Sequence, residues 1–152
     1  PEWDGKRILV IGESQGGGQA LAAAGLDKRV SAVVAIVPAM CDWMGPVAGR
    51  MGGWPQPFEA GKQKEELKDV LPYFDAANIM KNSSAIIFVE IGLIDMTCPP
   101  ASVYAAVNQS KGEKIIHAVP YRPHQQPQGQ LLKIWQEEVL KPREEFIYNY
   151  LK

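Results

Sequence analysis

Five residues, Gly12-Glu13-Ser14-Gln15-Gly16, place a serine in a G-x-S-x-G pattern directly after the apolar run Arg7–Ile11 (RILVI) and before a helix-favouring stretch. A serine hydroxyl attacks an acyl carbon only when a base removes its proton and a third group orients that base. A sharp strand-to-helix turn would lift the hydroxyl above a sheet, and Gly12 and Gly16, lacking Cβ, let the backbone close on either side of it. The N–H of Gln15, at the start of the following helix, would face an oxyanion forming beside Ser14. Two other glycine-rich turns fit less well. A phosphate-cradling loop needs Gly-Lys-Ser/Thr, and a dinucleotide-binding turn needs glycine at position 14 with an acidic residue about 20 positions on. A purely structural turn stays open until partners are found.

The partners stand in the order serine, acid, histidine, which serine hydrolases built on an α/β sheet use. Asp95 comes after the apolar run Ala85–Ile91 (AIIFVEI), and His124 after Lys114–Val119 (KIIHAV). Both lie just past the ends of strand-like runs, where open parallel sheets place their sites. Asp42 is attached to the wrong run, Asp75 lies in a helical connection, and Glu90 sits inside a strand. Of the two histidines, His117 lies mid-strand and reads as a packed core side chain, whereas His124 sits in a Pro-bounded loop, free to reach Ser14. Cys41 and Cys98 read as free and structural, with no ligand cluster around either, and too few for a disulfide scaffold or a four-ligand zinc site. No metal or cofactor is expected.

Positioning such groups requires a parallel sheet. Arg7–Ile11, Ser31–Val37, Ala85–Ile91 and Lys114–Val119 are short continuous apolar runs bounded by Gly or Pro, the pattern of strands buried on both faces. Helices are expected over Gly16–Leu26, Lys62–Leu71, Pro99–Gln109 and Gln130–Leu151, and the alternation implies βαβ crossovers. The segment Ala39–Gly61, rich in Gly, Pro, Met and Trp, is long for a loop within one domain and reads as a lid or insertion. Trp43, Trp54 and Phe58 in it could face a sugar ring or could fill the core. The 152 residues fit one domain. Lys and Arg total 16 against 17 Asp and Glu, a net charge of −1. That balance argues against nucleic-acid binding. No apolar run approaches the ~18–20 residues of a bilayer span, so no membrane partner is expected. The first residue is Pro1 and no leader-like segment precedes the first strand, so a processed chain or a piece of a longer one is expected and the compartment is left open.

The stretches PEWDGKRILVIGESQGGGQALAAAGLDKRV and IGLIDMTCPPASVYAAVNQSKGEKIIHAVPYRPH resemble the acetyl xylan esterase / cephalosporin C deacetylase family of carbohydrate esterases, over nearly the whole chain except Cys41–Gly61. The matching motifs are the elbow G-x-S-Q-G-G, the acid segment G-L-I-D-x-x-C-P-P and the histidine loop. The resemblance implies an α/β fold of the three-layer α/β-hydrolase type, with this chain covering the C-terminal portion from the nucleophile strand onward. It implies Ser14 as nucleophile, Asp95 as orienting acid, His124 as base and Gln15 as one oxyanion donor, the second lying upstream of the elbow. The implied substrate is a small acetylated carbohydrate ester, and the family's self-association makes a homo-oligomer an open partner. A peptidase of the same fold and a non-catalytic binding module are the alternatives. The other three strands should fall on one side of the elbow strand, leaving its far edge bare, so the chain alone should associate and turn over weakly.

Overall fold

The computed structural model describes residues 5–58 and 65–152. Four strands, β1 (Ile8–Glu13), β2 (Val30–Ile36), β3 (Ile86–Gly92) and β4 (Lys114–Val119), form an all-parallel sheet in the order β1-β2-β3-β4. Each grows from an apolar, β-branched run, and each ends where Gly, Pro or a polar turn interrupts it. The expected strand positions hold to within one or two residues.

The helices form a layer on each face. On one side α1 (Gln15–Leu26), the short α2 (Ala76–Ile79) and α3 (Pro100–Val107) bury Leu21, Ala24, Ala76, Val103 and Val107 against Val33, Ile87, Val89 and Ile91. On the other, Phe146 and Ile147 of α5 (Lys141–Leu151) cover Leu9, Val34, Phe88 and Ile115. This is the three-layer α/β arrangement expected from the sequence. Because side chains alternate across a strand, β2 and β3 must be apolar on both faces, and both are almost fully buried.

Two expectations are corrected. The elbow strand β1 is not buried on both faces. Nor is β4: Ile11 is 52% and Ile116 38% exposed, whereas β2, β3 and β4 do all lie to one side of β1, as expected. The α-helix expected over Lys62–Leu71 is absent from its described part, residues 65–71. Residues 62–64 lie outside the described residues, and the remainder forms two 3-10 turns, Glu65–Leu67 and Leu71–Tyr73. KQKEELKDVL has good helix formers but few apolar residues to bury, and Pro72 closes it within a turn.

The expected C-terminal helix is present with a change of pitch. Between α4 (Gln130–Trp135) and α5 runs a π-helical turn, Gln136–Leu140. Pro142 has no N–H for the carbonyl of Glu138 four residues back, and a wider turn relieves the clash of its ring with that oxygen. The freed Glu138 carbonyl faces the His117 ring on β4 and favours its protonated form.

His117 is packed as expected, stacked on Phe88 with ring centroids 4.5 Å apart, but it is half-buried on the edge strand β4 rather than in the core. Burial is the main reason its pKa falls below the ordinary histidine value, against the opposing pull of the Glu90 charge. The unfolded chain therefore binds a proton more readily than the fold. The contribution is fully present above about pH 6.5 and is lost as the pH falls through that value toward the lower folded pKa. The melting temperature should drop between pH 7 and pH 5, and His117→Gln should drop less over the same interval. Equal slopes for the two proteins would show that His117 is not coupled to folding.

Candidate active site

At the C-terminal end of β1 the chain turns through Ser14 with φ 52° and ψ −117°, a conformation costing on the order of 1–3 kcal/mol for a residue with a side chain. The turn is held by its surroundings. The Ser14 N–H donates to the Ile36 carbonyl at 2.9 Å, and the Ser14 carbonyl accepts from Ala39 N–H at 2.8 Å and Gly18 N–H at 3.1 Å. Gly12 is required by close approach, since a Cβ there would lie 2.2 Å from the Gly16 carbonyl carbon. The serine side chain is thus presented above the sheet at the start of α1.

His124 reaches it from the loop after β4. Ser14 Oγ and His124 Nε2 are 2.9 Å apart, and His124 Nδ1 lies 2.8 Å from Asp95 Oδ2. Asp95, from the loop after β3, is almost wholly buried. Its second oxygen, Oδ1, accepts from the N–H groups of Thr97 and Cys98, each at 2.8 Å. The carboxylate is therefore fixed from behind and faces the imidazole with one oxygen. Ser14, Asp95 and His124, separated by up to 110 residues, form one hydrogen-bonded chain.

A depression of about 240 Å³ opens over this chain, lined by Ser14, Gln15, Trp54, Thr97 and His124. Gln15 is the first residue of α1, where backbone N–H groups have no partner within the helix. Of the three aromatic candidates only Trp54 lines the depression, at 42% exposure. Phe58 is buried, and Trp43 is buried with its indole Nε1 donating to the Trp54 carbonyl at 3.1 Å. Trp54 is also fastened through its N–H to the Thr97 carbonyl at 3.0 Å and through its carbonyl to Met40 N–H at 2.9 Å. Roomier hollows, of about 430 and 450 Å³, lie beside α5 and the start of β1, away from the serine.

The rejected carboxylates have structural partners. Asp42 pairs with Arg50 through two contacts of 3.0 Å. Asp75 caps α2 and accepts from the N–H groups of Asp42, Trp43 and Ala77, so it braces the start of the Trp54 loop, with burial raising its pKa.

The expectation that no ligand cluster surrounds either cysteine is corrected for Cys98. It is free and buried, but its sulfur belongs to a cluster with Asp95 and His124 whose ligating atoms lie within 4.8 Å of one another. The cause is local: Asp95 and Cys98 are joined by the tight turn that the Asp95 carboxylate caps. Burial, and then the Asp95 charge, push the Cys98 thiol up to about 12.

A second group was not recognised from sequence. Arg122, fully buried, pairs with buried Glu90 of β3 and, at 3.2 Å, with Glu13 beside the nucleophile. Trp135 Nε1 and Arg143, the latter at 3.3 Å, also bond to Glu90. The signal was present: a glutamate inside an apolar strand must find a cation, and Arg122 lies just past the adjoining strand.

Comparison with known proteins agrees with this geometry. The family model described as acetyl xylan esterase (AXE1) matches residues 1–136. Acetyl esterase Axe7A of Xylanibacter ruminicola is 36% identical over 126 residues, 82% of this chain and 28% of that protein. Among solved structures, an acetyl xylan esterase from Paenibacillus sp. R4 superimposes with a TM-score of 0.75 at 32% identity, over 97% of this chain and 46% of the other. Acetyl xylan esterase 1 from Thermoanaerobacterium sp. JW/SL YS485 gives 0.72 at 30% identity, over 93% and 47%. Acylaminoacyl peptidase of Pyrococcus horikoshii, at 20% identity and a TM-score of 0.69, shares the fold. The chain thus spans about half the length of the esterase structures it matches and 28% of the curated relative. Its elbow, acid and histidine segments all fall within the matched residues, and the chain belongs to the acetyl xylan esterase (AXE1) family.

Proposed function

We propose that this chain carries the nucleophile-onward part of an α/β-hydrolase catalytic domain that removes acetyl groups from small acetylated carbohydrates. The observation that carries the proposal is the continuous hydrogen-bonded chain Ser14–His124–Asp95 at the C-terminal ends of three parallel strands.

Ser14 Oγ attacks the acetyl carbonyl carbon while His124 Nε2 takes its proton. The carbonyl oxygen becomes an oxyanion, and the Gln15 N–H stabilises it at the positive end of α1. Collapse of the tetrahedral species breaks the ester bond. The sugar alkoxide leaves with the proton held by His124, and the acetyl group stays on Ser14. Water, deprotonated by the same imidazole, then releases acetate. Asp95 holds the ring with Nδ1–H toward itself, so that Nε2 is the basic atom throughout.

The depression suits a short acyl group, and Trp54 offers an aromatic face for the sugar attached to it. The described part of the Ala39–Gly61 segment, residues 39–58, acts as an insertion that presents Trp54, braced by Asp75, Trp43 and Thr97.

The test compares esters with amides. A domain that includes the strands upstream of the elbow should turn over nitrophenyl acetate and acetylated xylo-oligosaccharides, this chain alone more weakly, and neither should cleave a peptide anilide. Cleavage of the anilide at a rate matching that of the acetate would favour a peptidase on the same fold. Binding of the oligosaccharide without release of acetate would favour a binding module.

A further inference from the structure

Arg122 stands two residues before the base, and its contacts run to the neighbourhoods of both other members of the hydrogen-bonded chain. One arm of its guanidinium, Nη2, bonds at 3.2 Å to Glu13, the residue directly before Ser14. The other, Nη1, bonds to Glu90 of β3, the strand whose end leads to Asp95. The backbone adds a third attachment. The Arg122 carbonyl accepts from Ile94 N–H, adjacent to Asp95, and packs so tightly on β3 that a Cβ on Gly92 would lie 2.5 Å from it. Trp135 flanks the guanidinium, whose Cζ is 5.3 Å from the ring centroid.

The charges are balanced in a particular way. Glu90, with no exposure, has a second cation, Arg143, at 3.3 Å. Neutralising Glu90 therefore does not depend on Arg122 alone. Glu13 is different: its side chain is 48% exposed, and a carboxylate there could remain in water without a partner. An exposed carboxylate gains little stability from such a pair. What the pair does gain is a fixed distance between the residue before the nucleophile and the residue two before the base. Ser14 and His124 follow strands at opposite edges of the sheet, with β2 and β3 between them, so no ladder bond sets that distance.

We propose that Arg122 is a positioning residue for the base: bridging Glu13 and Glu90, it fixes the His124 loop against the nucleophile turn and the acid-bearing strand. Only a two-armed planar cation can make both contacts at once, so lysine would keep the charge and lose the bridge. The inference rests on the esterase reading above and concerns the same site.

The decisive variant is Glu13→Ala, which removes the acceptor for the nucleophile-side arm and leaves the buried pair intact. With nitrophenyl acetate, kcat should fall about tenfold at unchanged KM, with the melting temperature nearly unmoved. Misplacement of reacting groups by about 1 Å can cost 10²-fold, so Arg122→Met should lose about that much in kcat. Arg122→Lys should recover melting temperature without recovering kcat. Arg143→Met serves as the comparison, lowering the melting temperature while kcat per folded molecule stays put. If Glu13→Ala keeps kcat within twofold of the unsubstituted protein, the proposal is overturned, whether or not the Arg122 variants fold. Failure of the esterase reading is distinguishable, because the unsubstituted protein would then show no Ser14-dependent turnover at all.

Discussion

Replacing Ser14 with alanine is expected to reduce turnover of acetyl esters to the uncatalysed background, a loss on the order of 10⁶ in kcat for a fully active enzyme. The arrangement sets the size. Ser14 Oγ has the His124 imidazole at 2.9 Å, and among the described residues lining the depression no other hydroxyl is bonded to that imidazole. The remaining oxyanion donor and pocket can still bind an ester but cannot form the covalent acetyl intermediate. His124→Ala should cost a similar factor, and the double variant should be no worse than either single one, because the groups act as a unit. Alanine preserves the turn, so the far-UV circular dichroism should be unchanged. A Ser14→Ala protein retaining a tenth of the rate would remove this serine from the mechanism.

Asp95→Asn is the second large effect, and its direction is set by the backbone. Asp95 Oδ1 accepts from two N–H groups, those of Thr97 and Cys98. A carboxamide at this position must turn its oxygen toward those donors, which aims its NH₂ at His124 Nδ1. The imidazole is then forced to accept at Nδ1 and to carry its proton on Nε2, so it cannot receive the proton of Ser14. A loss of about 10⁴ in kcat is expected, the magnitude found when a triad histidine is held in the wrong tautomer. The fold should survive, since the new side chain has the same shape and keeps its partners. Steady-state kinetics at saturating ester read the result, and a loss below tenfold would mean that Asp95 does not set the tautomer.

Much of the site is legible in the linear chain because the elements that position it are locally encoded. Strands buried on both faces must be continuous apolar runs, as Ser31–Val37 and Ala85–Ile91 are, and Lys114–Val119 forms a strand too, though a partly exposed one. The positions of Ser14, Asp95 and His124 just past strand ends come from the same runs. Three things are not legible, each for a physical reason. The exposure of β1 and β4 is not recorded by their apolar composition, although the expected strand order already put β1 at an edge. The roles of Trp43, Trp54 and Phe58 cannot be separated, because a Gly/Pro-rich segment has no period to assign faces. Bonds to Thr97 and Met40 bring Trp54 to the site, while Trp43 and Phe58 turn inward. The Glu13–Arg122–Glu90 bridge joins residues up to 109 positions apart, and local pattern does not say which cation meets which carboxylate. Glu90 lies inside a strand and so makes a poor candidate for the acid, yet a carboxylate buried there is itself evidence that a cation must meet it.

The central claim is that Ser14 is an acyl-accepting nucleophile activated by His124. It is tested most directly by treating the protein with a fluorophosphonate, digesting it, and locating the adduct by peptide mass spectrometry. The expected result is a single adduct on Ser14 that forms rapidly in the unsubstituted protein and is abolished by His124→Ala. An adduct on any other residue, or labelling of Ser14 at an equal rate without His124, would contradict it.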